Sequence, residues 1–182
     1  MSFTSRMFVI VHKEEMLMRR LTLGLMVMLL AGPTVAGDVP RPDDSHALQG
    51  IEEGRILWDV TLSDPDALLA RLGVIEQTYR DLERQGVTPR MVFGFRGGAV
   101  RLLTRDAAER DIDNAQTILE IQTKLAELHA LDGIDRMEVC SIASRRAGIT
   151  QADLVEPLVE VGNTFVSAAA YAQRGYTKIK ID

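Results

Sequence analysis

From Arg55 to Ile181 the chain alternates between short β-rich stretches and helical ones, and that alternation leaves few folds open. Arg55 to Leu62 (RILWDVTL) is apolar and rich in strand formers, which predicts a first strand. Asp64-Pro65-Asp66 follows as a helix start, with a capping aspartate and a proline at the first helical position. Leu68, Leu69, Leu72, Ile75, Tyr79 and Leu82 then recur at helical spacing to about Gln85, and Gly86 is placed to end the helix. Gly73 inside it either weakens it or marks a close approach. Met91 to Phe95 reads as a second strand, running into Arg96-Gly97-Gly98 and the apolar segment Ala99 to Thr104. Asp111 or Asp113 is expected to cap the next helix, whose apolar face is Ile112, Ala115, Ile118, Leu119, Leu125, Leu128 and Leu131. Asp132-Gly133 ends that helix, and a third strand delivers Cys140. A short helix over Ser141 to Ala147 stops at Gly148, and Thr150 to Asp153 has the form of a capping box with aspartate in place of glutamate. Leu158 to Val161 is a short fourth strand. Asn163 caps a last helix through about Arg174, and Tyr176 to Ile181 alternates as an edge-like fifth strand.

Strands that alternate with helices predict an α/β fold: a mainly parallel sheet with helices on both faces. No repeat and no second domain are visible. The 182 residues, 46% of them hydrophobic, suffice for one domain with a proper core. In such sheets chemistry sits beyond the carboxyl ends of the strands. Gly97-Gly98 and Cys140 both follow strands and are therefore expected at that end.

The first 54 residues read differently. Met16 to Arg20 is a short basic start, Leu21 to Ala31 is almost wholly apolar, and Gly32-Pro33 breaks the run before Ala36. That is the layout of a secretory signal peptide cleaved after Ala36, which makes residues 1–36 a leader and the location periplasmic or secreted. The apolar run is roughly half the ~20 residues a spanning helix needs, so no stable membrane anchor is expected after cleavage. Met16 fits a signal start better than Met1, and Arg19-Arg20 read as ordinary basic charges of the leader. Residues 37–54, with Pro40 and Pro42, are expected to be a flexible lead-in to a domain over 55–182.

Charge and composition exclude several functions. Beyond Ala36 the chain carries 17 basic and 24 acidic residues, an acidic balance unsuited to nucleic acid. One cysteine excludes an intramolecular disulfide, a C-x-x-C redox pair and a cysteine-rich zinc site. His12, His46 and His129 are scattered, so no metal site is expected, and His129 reads as a surface residue near a helix end. No G-x-S-x-G appears, which leaves serine hydrolysis without support. Gly97-Gly98 fits neither G-x-G-x-x-G nor a P-loop. The pair serves as a turn or offers backbone N–H groups to an anion.

Cys140 remains. As a small apolar residue it could simply fill a buried position. At the end of a strand and the start of a helix, however, a thiol meets unpaired backbone N–H groups that favour the thiolate. Arg145 and Arg146 follow within reach, and Ser141 adds a hydroxyl. An unpaired thiol in an oxidising compartment is either shielded or used.

Three pieces of this sequence together resemble the DsrE/DsrF-like family, which includes sulfur-relay proteins. They are RILWDVTL with its capped helix, the strand and glycine turn of MVFGFRGGAVRLL, and the run from VCSIASRRAGIT through LVEPLVEVGNTFVSAAAYAQRGYTKIKI. Gln173, Gly175, Tyr176 and Ile179 belong to the last piece, and the resemblance covers nearly all of 55–181. It implies a three-layer α/β/α sandwich with a five-stranded sheet, related to flavodoxin-like topologies, and assembly as a homo-oligomer. It also implies that Cys140 carries sulfur as a persulfide between thiol-bearing partner proteins, with no cofactor. The charge would be held by backbone N–H groups at Ser141 to Ala143, with Arg96, Gly97, Gly98, Arg145 and Arg146 as an anion-binding surround. Relatives often carry His-Gly where this chain has Arg96-Gly97. The change removes an imidazole and places a guanidinium there to stabilise a thiolate. The rival expectation is a non-catalytic ligand-binding or assembly module in which Cys140 is structural.

Overall fold

The computed structural model describes residues 41–182. The leader, the start at Met16 and the cleavage after Ala36 lie outside the described residues. The compact unit spans Asp43–Asp182 and contains a single five-stranded sheet, every pairing of which is parallel. In chain order its elements are β1 (Glu53–Val60), α1 (Pro65–Arg84), β2 (Thr88–Phe95), a 3-10 turn (Gly97–Leu102), α2 (Ala107–Arg110), a 3-10 turn (Ile112–Asn114), α3 (Ala115–His129), β3 (Ile134–Cys140), α4 (Ser141–Ala147), a 3-10 turn (Gln151–Asp153), β4 (Val159–Val161), α5 (Thr164–Gln173) and β5 (Thr177–Ile181).

The strand order is β4-β3-β2-β1-β5, so the chain steps outward from β1 to β4 and then returns past β1 to the far edge. Flavodoxin itself uses 2-1-3-4-5. This sheet is the expected parallel sandwich with its own winding. Helices cover both faces. Leu68, Leu72, Ile75 and Tyr79 of α1 and Ile118, Ile121, Leu125 and Leu128 of α3 bury themselves against Trp58, Val60, Met91, Phe93, Phe95, Met137 and Val139 of the sheet. The other face is covered by α5, which lies over β2, β3 and β5.

Local chemistry explains most boundaries. Asp64 caps α1, accepting from the Ala67 N–H at 2.8 Å with Pro65 in the first turn. Asn163 caps α5 by accepting from the Phe165 N–H at 2.9 Å. Thr150 and Asp153 form the expected capping box, on a 3-10 turn. A β-carbon at Gly73 would meet nothing within 4 Å, so this glycine serves no close approach and only loosens α1.

Five expectations are corrected. β1 begins two residues earlier than read and stops at Val60. β2 begins at Thr88, because Pro89 near a strand start forfeits only one ladder bond. The lead-in is tied down from Asp44 on: the Asp44 N–H donates to Gln85 Oε1 at 2.5 Å, and the Thr88 N–H donates to the Glu52 carbonyl at 2.9 Å. The helix expected from Asp111 starts instead at Ala115, after a break at Asp111. Ile112 is 75% exposed and Leu119 49% exposed, while Ile121, left out of the predicted face, is fully buried. β4 is shorter than predicted, and Leu158 is buried just ahead of it.

Candidate functional site

β2 and β3 are neighbours, so the turns that leave their carboxyl ends stand side by side. β2 ends at Phe95 and passes through Arg96 into the 3-10 turn that starts at Gly97. The turn needs two glycines for two reasons. Gly97 has φ +61°, the left-handed region, and a β-carbon on Gly98 would come within 2.5 Å of the Ser63 β-carbon. β3 ends at Cys140, which is the residue before α4 in extended conformation. Between these two strand ends lies a cleft of about 370 Å³, within the range of small-ligand sites. Cys140 forms part of its lining, with Gly97 and Gly98 on one side. Ile142, Ala143, Ala147 and Phe165 give it apolar walls, and Arg96, Arg101 and Arg146 give it positive charge.

Cys140 is 4% exposed, yet it stands apart from the main apolar cluster of the core. Burial pushes the thiol up. The backbone N–H of Thr164, that of Ala143, the Thr164 hydroxyl and the N–H of Ile142 act against burial and prevail, so the thiol lies below its ordinary value of 9.0. Ala143 and Ile142 belong to α4, and Thr164 opens α5. The sulfur therefore faces the starts of two helices. Thr164 is 6% exposed, and its hydroxyl makes no hydrogen bond within the described residues. It is a buried donor standing ready for an anionic sulfur.

Arg96 is held in place from below and above. Its Nε and Nη2 donate to Asp59 Oδ1 and Oδ2 at 2.7 and 2.8 Å, and its guanidinium lies 4.7 Å from the centre of the Phe165 ring. The hydrogen bonds to Asp59 raise its pKa, burial opposes them, and the negative charge of Asp59 and of a Cys140 thiolate adds to the rise. Asp59 is thus the ion partner of Arg96, and Lys178 Nζ lies 3.8 Å from the same carboxylate. Arg101 and Arg146 have no carboxylate partner among the described residues and stand exposed at the cleft.

The predicted surround is brought together in part. Arg96, Gly97, Gly98, Cys140 and Arg146 share the cleft. Ser141 and Arg145 do not line it. Ser141 Oγ donates to the Gly162 carbonyl at 2.8 Å, and Arg145 Nη1 donates to Ser141 Oγ at 2.9 Å. The pair braces the loop that leads into α5 against the first turn of α4, and so holds both helix starts on the sulfur. Sequence reasoning missed Thr164, Arg101, Phe165 and Asp59. Thr164 carried a usable signal: Asn163 marks a helix start after a strand, and every such start in a parallel sheet faces the same rim. Among the described residues no cluster of histidine, cysteine or acidic side chains is arranged to hold a metal ion.

No family model and no curated protein matches this chain. Among solved structures it is similar to MTH1491, a protein of unknown function from Methanobacterium thermoautotrophicum. The TM-score is 0.56 and the identity 20%, over 70% of this chain and 99% of that one. At that identity the likeness concerns the fold, which is a parallel α/β/α sandwich in this chain.

Proposed function

We propose that this chain is an exported, DsrE-like sulfur carrier that works through a persulfide on Cys140. The observation that supports it most is the placement of one lowered thiol on the lining of a cationic cleft, facing the starts of two helices. In the carrier mechanism the Cys140 thiolate attacks a sulfane sulfur and takes it up. The N–H groups of Ile142, Ala143 and Thr164 hold the negative charge, and the outer sulfur then passes to a thiol of an acceptor. No general base is required when the thiolate is already formed. Periplasmic or secreted location, homo-oligomeric assembly and a thiol-bearing partner belong to the same proposal.

The test is direct. The purified protein is exposed to polysulfide, alkylated and weighed intact. The carrier gains sulfur on Cys140, and Cys140→Ser gains none. A second reading, a binding or assembly module with a structural thiol, has one observation in its favour: the sulfur is nearly covered. A thiol that resists alkylation until the protein is denatured, and takes up no sulfur, decides for that reading.

A further inference from the structure

The carrier reading leaves the donor open, and the cleft narrows it. We infer that Cys140 is loaded by a small free oxyanion, of sulfonate or carboxylate type, that bears a sulfane sulfur and is seated by Arg101 and Arg146, rather than by a persulfide presented on another protein. This rests on the carrier reading and adds the substrate class.

Access is the first argument. Cys140 is 4% exposed and lines the cleft, so a cysteine anchored in a second folded protein has little room to approach it. A free molecule that fits about 370 Å³ has that room. Charge is the second. The domain is acidic as a whole, with 24 acidic against 17 basic residues beyond Ala36, yet the cleft carries three guanidinium groups. Asp59 is the ion partner of one of them. The charges of Arg101 and Arg146 remain without a carboxylate among the described residues, and planar guanidinium groups are suited to sulfonate and carboxylate oxygens. A large polyanion is repelled by the rest of the surface, whereas a small dianion meets only the cleft. The apolar walls formed by Ile142, Ala147 and Phe165 accommodate an organic body between the charges. The third argument is the Thr164 hydroxyl, which is buried, makes no hydrogen bond among the described residues and acts on the Cys140 sulfur, to which it would donate once that sulfur is anionic.

The step balances without an oxidant. The Cys140 thiolate attacks the outer sulfur of the donor; a new S–S bond forms on Cys140 and the donor's S–S bond breaks. From thiosulfate, sulfite leaves with the electron pair. From glutathione persulfide, the terminal S–H moves to Cys140 and glutathione thiolate leaves. The transferred sulfur then stands about 2 Å further out than Cys140 Sγ, which brings it nearer to an acceptor.

The experiment measures loading rate against donor concentration by intact mass, for thiosulfate and for glutathione persulfide, in the full chain and in an Arg101→Gln/Arg146→Gln double variant. Saturating polysulfide serves as the common control. The expected result is a rise of about tenfold or more in the half-saturating concentration of at least one donor in the double variant, with the midpoint of its chemical denaturation unmoved. The donor whose curve moves identifies the source as inorganic or organic. Superimposable curves, or no loading from either donor while polysulfide still loads Cys140, overturn this inference and leave the carrier standing. No loading from polysulfide either removes both.

Discussion

On the face turned toward α1 and α3, strands β1 to β3 present Trp58, Val60, Met91, Phe93, Phe95, Met137 and Val139, all at most 4% exposed. On the opposite face the same strands carry Asp59, Gly94 and Glu138 in one cross-strand row, with Arg96 and Cys140 just beyond it. Asp59 and Glu138 are 7% and 5% exposed, and each is answered by a cation or a hydroxyl: Asp59 by Arg96, Glu138 by Arg136 at 3.4 Å and Tyr171 at 3.1 Å. One face is continuous hydrocarbon under two long helices. The other sets that polar row beside buried Leu57 and Val92, under the single ten-residue helix α5. The contrast teaches that the strands divide their labour by parity. Residues of one parity supply that hydrocarbon face, and those of the other include the polar row that leads to Arg96 and Cys140.

If that division is real, mutations on the two faces must fail differently. The largest effect is expected from Phe93→Ala, which removes a fully buried ring and should lower stability by about 3–5 kcal/mol in chemical denaturation. A loss under 1 kcal/mol would mean that the hydrocarbon face does not carry the fold. Asp59→Asn on the polar face leaves the Arg96 guanidinium without its ion partner and should cost on the order of 2 kcal/mol. It should also change Cys140 alkylation, because Arg96 then moves. An unchanged alkylation rate separates Asp59 from the site.

Thr164→Val keeps shape and removes the reserved hydroxyl, so stability should change little while the thiol moves upward. The sign follows from the lowered pKa. In the folded protein the thiolate persists at pH values below the ordinary 9.0 of a free thiol. Whatever stability the anion contributes is complete above that value and lost as pH falls through the folded pKa. A pH profile of iodoacetamide alkylation should therefore inflect below 9.0 in the native protein and higher in the variant. Coincident profiles would remove Thr164 from the site. The smallest effect belongs to α1, far from the sulfur. Gly73→Ala should raise stability by roughly 0.5–1 kcal/mol and leave alkylation untouched.

Much of this architecture was legible before any coordinate. The aspartate and proline at the start of α1, the Asn163 cap and the glycine after each of α1, α4 and α5 mark local events, and local events are written locally. Ile112 departs from the expected stripe because helical spacing continues through a break that only the backbone reveals, whereas Leu119 lies within α3 beside buried Ile118 and faces outward. The site was legible at Cys140, Arg96, Gly97, Gly98 and Arg146, which sit at strand ends or on the first helix beyond. Thr164 and Arg101 required knowing that β4 lies beside β3 and that the turn after β2 coils back over the cleft. Strand order is a global property, and no residue states it. Ser141 and Arg145 were in the right place with a different partner, since a hydroxyl near a carbonyl binds it in preference to open solvent.

Gly94 sits in the middle of the polar row, and a β-carbon there would lie 3.7 Å from the β-carbon of Thr164. An alanine would be tolerated at ordinary contact, whereas a valine would have to lift the first turn of α5 away from the strands. Bulk at a position that carries no side chain would then change the acidity of a sulfur on the neighbouring strand. The central strand thus contains a mechanical adjustment of the thiol, with a methyl group as its unit of travel.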